Sequence, residues 1–394
     1  MLALVDVILF LIGLVLSLPA LTLFAQVLAS LRKSREIEVS KGDRLPVAVL
    51  VPAHNEELSL AKTLSSIIPQ LKAADRLVVI ADNCSDRTAD IARQAGAQVT
   101  IRTEPSLRGK GYALEHGLEF LEQTQPPDVV VFVDADCQLE NDCIDLLARR
   151  CSQSMRPVQA AYLMNPPRPP QKMASMVAFA WKVKDFVRPL GWHRLGLPCQ
   201  LAGSGMAFPW QVVRSTNLGT SHLAEDLKQG LDLALIGKFP LFCPDAVVTS
   251  DVITGGKVSR AQRARWEHGS LETALHYFPR LLIRFSKTWS FSLVAMAMDL
   301  AVPPLALLAL LLGCYTFSTI AFLIFGGGTK PIIVACSVCM LFSATIFLAW
   351  YRHGREFLPL RWLIFAPIYA LVKIPLYVRF FFDRQQEWVK GRRE

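Results

Sequence analysis

Charge is scarce in this chain of 394 residues: Asp, Glu, Lys and Arg together make up 19%, against roughly 25% in ordinary soluble domains. Apolar residues reach 52% and the mean hydropathy is +0.33. That balance excludes a disordered or fibrous chain and argues against a purely soluble enzyme. Other absences narrow the field. No G-x-G-x-x-G follows the first predicted strand, which counts against a dinucleotide enzyme, and no G-x-x-x-x-G-K-[ST] occurs, which counts against a P-loop. No tract interleaves base-stacking aromatics with Lys and Arg, so the net charge of +9 points to a basic membrane face and not to nucleic acid. The nine cysteines are scattered and odd in number. Cys336 and Cys339 form a C-x-x-C inside an apolar run, where packing is the better reading. Cys84, Cys137, Cys143 and Cys151 fall in a segment read below as cytosolic, where thiols stay reduced, so no disulfide is expected.

What is present begins with a membrane pattern. Leu2 to Leu31 is apolar apart from Asp6 and a few small polar residues, long enough to cross about 30 Å of hydrocarbon. A cleavable signal would carry its basic residues before the apolar run. Here Arg32, Lys33 and Arg35 follow it, which puts the amino terminus outside and the next segment in the cytosol. Ala301–Phe325 and Pro331–Trp350 read as two further spans, and Arg352, Arg355 and Arg361 make the loop after them cytosolic. The segment Trp362–Val378 holds Pro367, Lys373 and Pro375 and precedes a basic tail, so it reads as re-entrant or interfacial. Ser290–Leu300 is another candidate interfacial stretch. The resulting division is a membrane helix over residues 1–31, a cytosolic domain over 32–288, a C-terminal membrane region over 289–380 and a basic cytosolic tail over 381–394, giving an integral protein of a bacterial-type inner membrane or its equivalent.

The cytosolic segment alternates strand and helix. Val47–Val51, Leu77–Ala81, the weaker Gln98–Ile101 and Asp128–Val133 are apolar runs of the kind a parallel strand buried on both faces requires. Helical patterns lie between them at Glu57–Ile68, Thr88–Ala95 and Gly111–Leu121. That alternation predicts an α/β domain around a mostly parallel sheet. Polar, acid-bearing clusters follow three of the strands: Pro52-Ala53-His54-Asn55-Glu56, Asp82-Asn83-Cys84-Ser85-Asp86 and Asp134-Ala135-Asp136. Ligands in open α/β sheets bind at the carboxyl ends of strands, so these clusters are expected to share one cleft. Ser85 and Asp86 have an equally good reading as caps of the helix after them. Two carboxylates flanking one small residue suit Mg²⁺ or Mn²⁺, which take few protein ligands and complete their shell with phosphate oxygens. Arg108-Gly109-Lys110-Gly111 before a helix offers a cation and backbone N–H groups to a phosphate. The residues by themselves therefore describe a metal-assisted nucleotide-diphosphate site.

Taken in order, Val51-Pro52-Ala53-His54-Asn55-Glu56, Ala81 to Asp86, Asp134-Ala135-Asp136, Glu225-Asp226 and Gln262-Arg263-Ala264-Arg265-Trp266 resemble the membrane-attached family-2 glycosyltransferases, which include cellulose, chitin and hyaluronan synthases and ceramide glucosyltransferase. The resemblance covers about residues 46–285, and the last motif fits Q-x-x-R-W. It implies a GT-A-like, Rossmann-like catalytic domain between N- and C-terminal transmembrane helices, a UDP-sugar donor and a Mg²⁺ or Mn²⁺ cofactor. It further implies that Pro52, Ala53, Asn55, Glu56, Asp82, Lys110, Asp134, Gln262 and Arg265 bind the donor and that Asp136 and Asp134 face the metal. Asp226 would be the general base, Arg265 would hold the diphosphate, and Trp266 would stack beside the acceptor. Glu225, Gly203, Ser204 and Gly205 complete the expected acceptor side, although Leu201–Met206 reads equally well as a plain turn. Many polymerising members carry Thr-Glu-Asp where this chain has Ala224-Glu225-Asp226. A structural reading stands beside the functional one: Glu225-Asp226 could open an exposed helix paired with Lys228, and Arg265-Trp266 could anchor an interfacial helix.

Met173–Val187 reads as an amphipathic helix lying on anionic headgroups, in the region expected to set acceptor specificity. The function implied is an inverting, metal-dependent transfer of a hexose or N-acetylhexosamine from a UDP-sugar to a membrane-bound lipid or lipid-linked glycan. A processive polysaccharide synthase is the alternative within the class, and an inactive nucleotide-sugar-binding scaffold of an envelope-assembly complex is the alternative outside it. Oligomeric state is not legible.

Overall fold

In the computed structural model, the described residues are 2–33, 44–252 and 256–382, with the side chains of 256–263 and 381 left aside. In chain order the elements are α1 (Leu2–Ser30), β1 (Val47–Ala53), α2 (Leu60–Ile67), β2 (Arg76–Asp82), α3 (Thr88–Gln94), β3 (Gln98–Arg102), α4 (Lys110–Thr124), β4 (Val129–Phe132), β5 (Gln138–Leu139), α5 (Cys143–Ser154) and β6 (Val158–Asn165). Then come α6 (Lys172–Lys182), α7 (Arg188–Arg194), β7 (Met206–Pro209), α8 (Trp210–Val213), α9 (Glu225–Leu235), β8 (Leu241–Asp251) and α10 (Gly256–Thr288). The chain closes with α11 (Phe291–Ala301), α12 (Leu305–Ile324), α13 (Lys330–His353), α14 (Leu360–Leu363), α15 (Ala366–Val372) and α16 (Ile374–Phe382). Two compact units result. One gathers residues 1–34, 166–196 and 274–385, the other residues 35–165, 197–273 and 386–394. The boundaries expected from hydropathy differ from this division, because 166–196 groups with the apolar helices.

The second unit is built on an eight-stranded sheet in the order β3-β2-β1-β4-β7-β6-β8-β5. The four strands legible in the sequence lie side by side and parallel, with Val51 opposite Val79 and Leu50 opposite Phe132. β7 runs antiparallel beside β4, and β6 and β8 pair parallel farther along. The sheet is thus mixed and mostly parallel. Every residue of β1 but Pro52 is buried, as are all four of β4. This burial is why both read as unbroken apolar runs: helices cover the two faces of such a sheet. Leu50, Ile80, Leu114, Leu118, Phe132 and Phe208 form the heart of one core cluster. The rings of Phe132 and Phe208 stand 5.1 Å apart across the antiparallel joint.

In the first unit, α1, α12 and α13 are long and apolar enough to cross a membrane. The stretch expected to be re-entrant or interfacial is broken into α14, α15 and α16, of four, seven and nine residues. The breaks coincide with the prolines, which remove helix donors and clash with the preceding turn. The expected amphipathic helix forms as α6 followed by one π turn over Val183–Val187. Its apolar side has a different partner from the one expected: Met176, Phe179, Val183 and Val187 pack with Leu23 and Val27 of α1 and with Leu308 and Trp350 of the later helices. These side chains are covered by protein and so are not lying on headgroups. A buried polar bridge adds to this packing. Arg188 donates to the Asp299 carboxylate at 2.9 Å and to its carbonyl at 2.5 Å, and Gln26 donates to the same carboxylate at 2.5 Å. All nine cysteines are free thiols. The basic tail over 381–394 falls almost wholly outside the described residues.

Candidate active site

The cleft lies at the carboxyl ends of β2, β1 and β4, where parallel pairing in register brings three loops together. The loops after β1 and β2 are tied directly. Asn55, in a left-handed conformation (φ 54°), accepts the Ser85 N–H at 2.7 Å. Asp86 accepts the Glu57 N–H at 3.1 Å and the Thr88 N–H at 3.0 Å, so it both caps α3 and ties the loops. His54 Nδ1 meets the Asp82 carbonyl at 2.7 Å, and Glu56 accepts the Ser59 hydroxyl at 2.6 Å. Asp82 itself is buried and accepts Arg102 Nη1 at 2.6 Å. These two residues are register partners on β2 and β3. Pro52 and Ala53 end β1, with Pro52 half-buried and Ala53 buried.

Farther along, Lys110 at the start of α4 forms an ion pair with Asp134 and donates to the Gly203 carbonyl at 2.6 Å. Gly203 stands at φ +83°, and a Cβ there would lie 3.1 Å from Asp226 Oδ2, 3.7 Å from Lys110 Nζ and 3.9 Å from Asp134 Oδ2. Only a residue without a side chain leaves this space open and adopts that backbone at no steric cost. The other carboxylate oxygen of Asp226, Oδ1, accepts the Leu227 N–H at 2.8 Å at the first turn of α9. The side chain is therefore held by one oxygen while the other faces Lys110 and Asp134.

The charges in this cluster are mutually dependent. Burial works against the Lys110 ammonium, yet Asp134, Glu225 and Asp226 together outweigh it and hold the amine above the usual lysine range. Burial raises the Asp134 carboxyl, and Lys110 opposes that rise. Burial, joined by the negative charge of Asp226, pushes Glu225 up to about 7, while Lys110 and Arg265 pull it down. Arg265 is thereby within electrostatic reach of the acidic pair. Trp266 follows it on α10 and is half-buried. Gln262 lies on the same helix, and its side chain is among those left aside.

Asp134, Asp136 and Cys137 offer ligand atoms within 4.8 Å of one another. Asp136 also lines a hollow with Lys62, Gln138 and Asp251. A pair of carboxylates at this spacing fits a hard divalent ion. Two residues expected on the acceptor side are placed differently. Ser204 is fully buried, and its hydroxyl accepts the Asp134 N–H at 3.1 Å. At Gly205 a Cβ would meet Ala160 and Val248 at 2.7 Å, so this glycine lies against β6 and β8. Both shape the loop from behind. Three participants escaped the sequence reading: Arg102 beside Asp82, the direct Lys110–Asp134 pair, and buried Gln159, whose amide donates to the Ser204 carbonyl at 2.9 Å. None of these had a signal in the sequence alone, since even Arg102 lines up with Asp82 only through the register of β2 and β3.

The profile of the family described as "Glycosyltransferase like family 2" matches residues 44–269. Over 119 residues the chain is 35% identical to the 4,4'-diaponeurosporenoate glycosyltransferase of Staphylococcus haemolyticus, covering 29% of this chain and 29% of that protein. Over 107 residues it is 34% identical to the glucosyl-3-phosphoglycerate synthase of Mycobacterium tuberculosis, covering 26% of this chain and 32% of that one. The matches thus span less than a third of the length of these curated relatives. Among solved structures, a mannosyltransferase from Pyrobaculum calidifontis in complex with GDP-Man and Mn²⁺ is similar in fold, with a TM-score of 0.58, 16% identity and coverage of 96% of this chain and 100% of that one. A GT-A-like fold and a family profile that covers more than half of the sequence place this chain in glycosyltransferase family 2.

Proposed function

We propose that the protein is an inverting, divalent-metal-dependent glycosyltransferase that moves a hexose or N-acetylhexosamine from a UDP-sugar to a membrane-bound lipid or lipid-linked glycan. The observation that carries this reading is the meeting of Asp226 Oδ2, Lys110 and Asp134 around Gly203. A carboxylate held at the first turn of α9, close to a buried lysine and a second carboxylate at the mouths of the parallel strands, supports a one-base transfer. In this reading Pro52, Ala53, Asn55, Glu56 and Asp82 contact the nucleoside. Lys110, Asp134, Gln262 and Arg265 serve the diphosphate and sugar, and Trp266, Gly203 and Glu225 face the acceptor.

Asp226 accepts the proton of the acceptor hydroxyl as that oxygen bonds to the anomeric carbon. The bond from that carbon to the diphosphate oxygen breaks on the opposite face, and UDP leaves with the electron pair. The cationic side chains of Lys110 and Arg265 offset the charge that develops on the leaving oxygen. Asp134 and Asp136 are the residues that would hold Mg²⁺ or Mn²⁺, which when bound supplies further charge neutralisation at the diphosphate. No second catalytic carboxylate is required, in contrast to a hydrolase pair that must protonate its leaving oxygen. A cytosolic catalytic unit with the amino terminus outside follows from the basic residues after α1 and after α13.

A lipid acceptor agrees with the packing of 166–196 among the apolar helices. Membranes containing the protein, incubated with a panel of radiolabelled UDP- and GDP-sugars, test the proposal. Solvent-extractable label from a UDP-sugar supports it. Label only from a GDP-sugar, or only in insoluble polymer, contradicts the donor or the acceptor assignment.

A further inference from the structure

We propose that His222 is a positioning residue that fixes the start of α9 and so aims the Asp226 carboxylate into the cleft. The inference rests on reading Asp226 as the base. It begins from Ala224, the N-cap residue of α9, which carries no hydroxyl and makes no side-chain cap bond. A helix start without such a cap is held less firmly, yet this one carries Glu225 and Asp226 on its first turn.

His222 supplies the missing tie. Its Nδ1 accepts the Ala224 N–H at 3.2 Å, while the backbone N–H of His222 donates to Thr220 Oγ1 at 3.1 Å. The Ala224 carbonyl meanwhile accepts the Lys228 N–H at 3.0 Å. The capping residue is therefore bonded through both of its backbone groups.

The surroundings make the loop a rigid mount. On one side, Leu218 N–H donates to Glu115 Oε2 on α4 at 3.0 Å. The Leu218 and Thr220 carbonyls approach to 2.3 and 2.9 Å of where a Cβ at Gly111 would stand. On the other side, a Cβ at Gly269 of α10 would lie 3.1 Å from Leu223 and 3.2 Å from Ala224. Between these supports the imidazole is the side chain that bonds the capping residue. Accepting through Nδ1 requires the neutral ring with its proton on Nε2. Burial lowers His222 below the usual histidine range, against the charge of Glu272 from α10, while Lys228 of α9 lowers it and Asp226 raises it.

The test uses full-length protein in lipid nanodiscs, comparing His222→Leu, which removes the acceptor, with His222→Asn, which keeps a side-chain acceptor on a short stem. Hydrogen exchange of the backbone over residues 222–227 is read first, because it needs no substrate. His222→Leu should speed exchange there and leave β1 and β4 unchanged, and His222→Asn should restore protection. With the nucleotide sugar that the labelled panel identifies, His222→Leu should lower kcat about tenfold, as a small misplacement of a reacting group does. Donor KM and the affinity for UDP with Mn²⁺ should stay within about twofold. His222→Asn should return most of the kcat. Unchanged exchange in His222→Leu overturns the proposal, as does a loss expressed in donor KM or a failure of His222→Asn to rescue. If Asp226→Asn retains turnover while the exchange result holds, the base assignment fails and the role of His222 in fixing α9 survives.

Discussion

Replacing Glu225 by Gln separates charge from shape in the cleft. In the folded protein this carboxyl is pushed up to about 7 from an ordinary value of 4.5 by burial and by the charge of Asp226. Between those two pH values the native state holds a proton that the unfolded chain has released, so stability falls as pH rises through this window and levels off above it. Each pH unit corresponds to about 1.4 kcal/mol, which bounds the cost of ionising Glu225 at pH 8 at about 3 kcal/mol. Glu225→Gln removes that cost and keeps the side chain's volume. The variant should therefore be the more stable protein at pH 8 by up to about 3 kcal/mol, and the difference should shrink toward zero near pH 4.5. Thermal unfolding midpoints of both proteins across pH 4.5–8 measure this, at about 2–4 °C per kcal/mol for a domain of this size. A variant that is less stable at pH 8 than at pH 5, relative to the wild type, would show that Glu225 is ionised and stabilising, and the reasoning would be refuted.

Gly203→Ala should abolish transfer by at least a hundredfold, because its Cβ would stand 3.1 Å from Asp226 Oδ2 on a backbone at φ +83°. Since left-handed strain costs about 1–2 kcal/mol, circular dichroism should still show a folded protein, and a fully active variant would place the reacting atoms elsewhere. In the unit of apolar helices, Arg188→Leu should cost about 3–5 kcal/mol by stranding the buried Asp299 carboxylate. Arg188→Leu combined with Asp299→Leu should cost less than either single change, and a simple sum of the two losses in unfolding midpoint would contradict a buried pair.

Three of the four parallel strands are plain in the sequence because burial on both faces leaves an unbroken apolar signature, as in Val47–Val51 and Val129–Phe132, while β3, at the sheet edge and buried only at Arg102, leaves a weaker one. The mixed half, with parallel and antiparallel pairs, is not plain. β7 is four residues long, and β8 carries Pro244 and Asp245 in mid-strand, so neither shows a clean period. Their pairing with β4 and β6 is set by contacts remote in sequence. The acid clusters are legible because each directly follows one of these apolar runs, but the partners of each acid are not. Arg102 meets Asp82, and Lys110 meets Asp134, only once register and helix placement are known. The apolar face of α6 is plain in the sequence, whereas its partner is not: an amphipathic pattern states that something covers the face, and here α1 and the later helices do so. Ser204 shows the converse limit, since a small polar residue in a glycine-rich loop has the same pattern whether its hydroxyl faces a ligand or, as here, a backbone amide.

The central claim is that Asp226 removes the acceptor's proton while other groups hold the donor. Asp226→Asn keeps the size of the side chain and removes its basicity. Calorimetry with UDP and Mn²⁺, run beside a transfer assay on the same preparation, should give binding close to wild type and turnover lowered by at least a hundredfold. Turnover within a few-fold of wild type in the variant would contradict the claim.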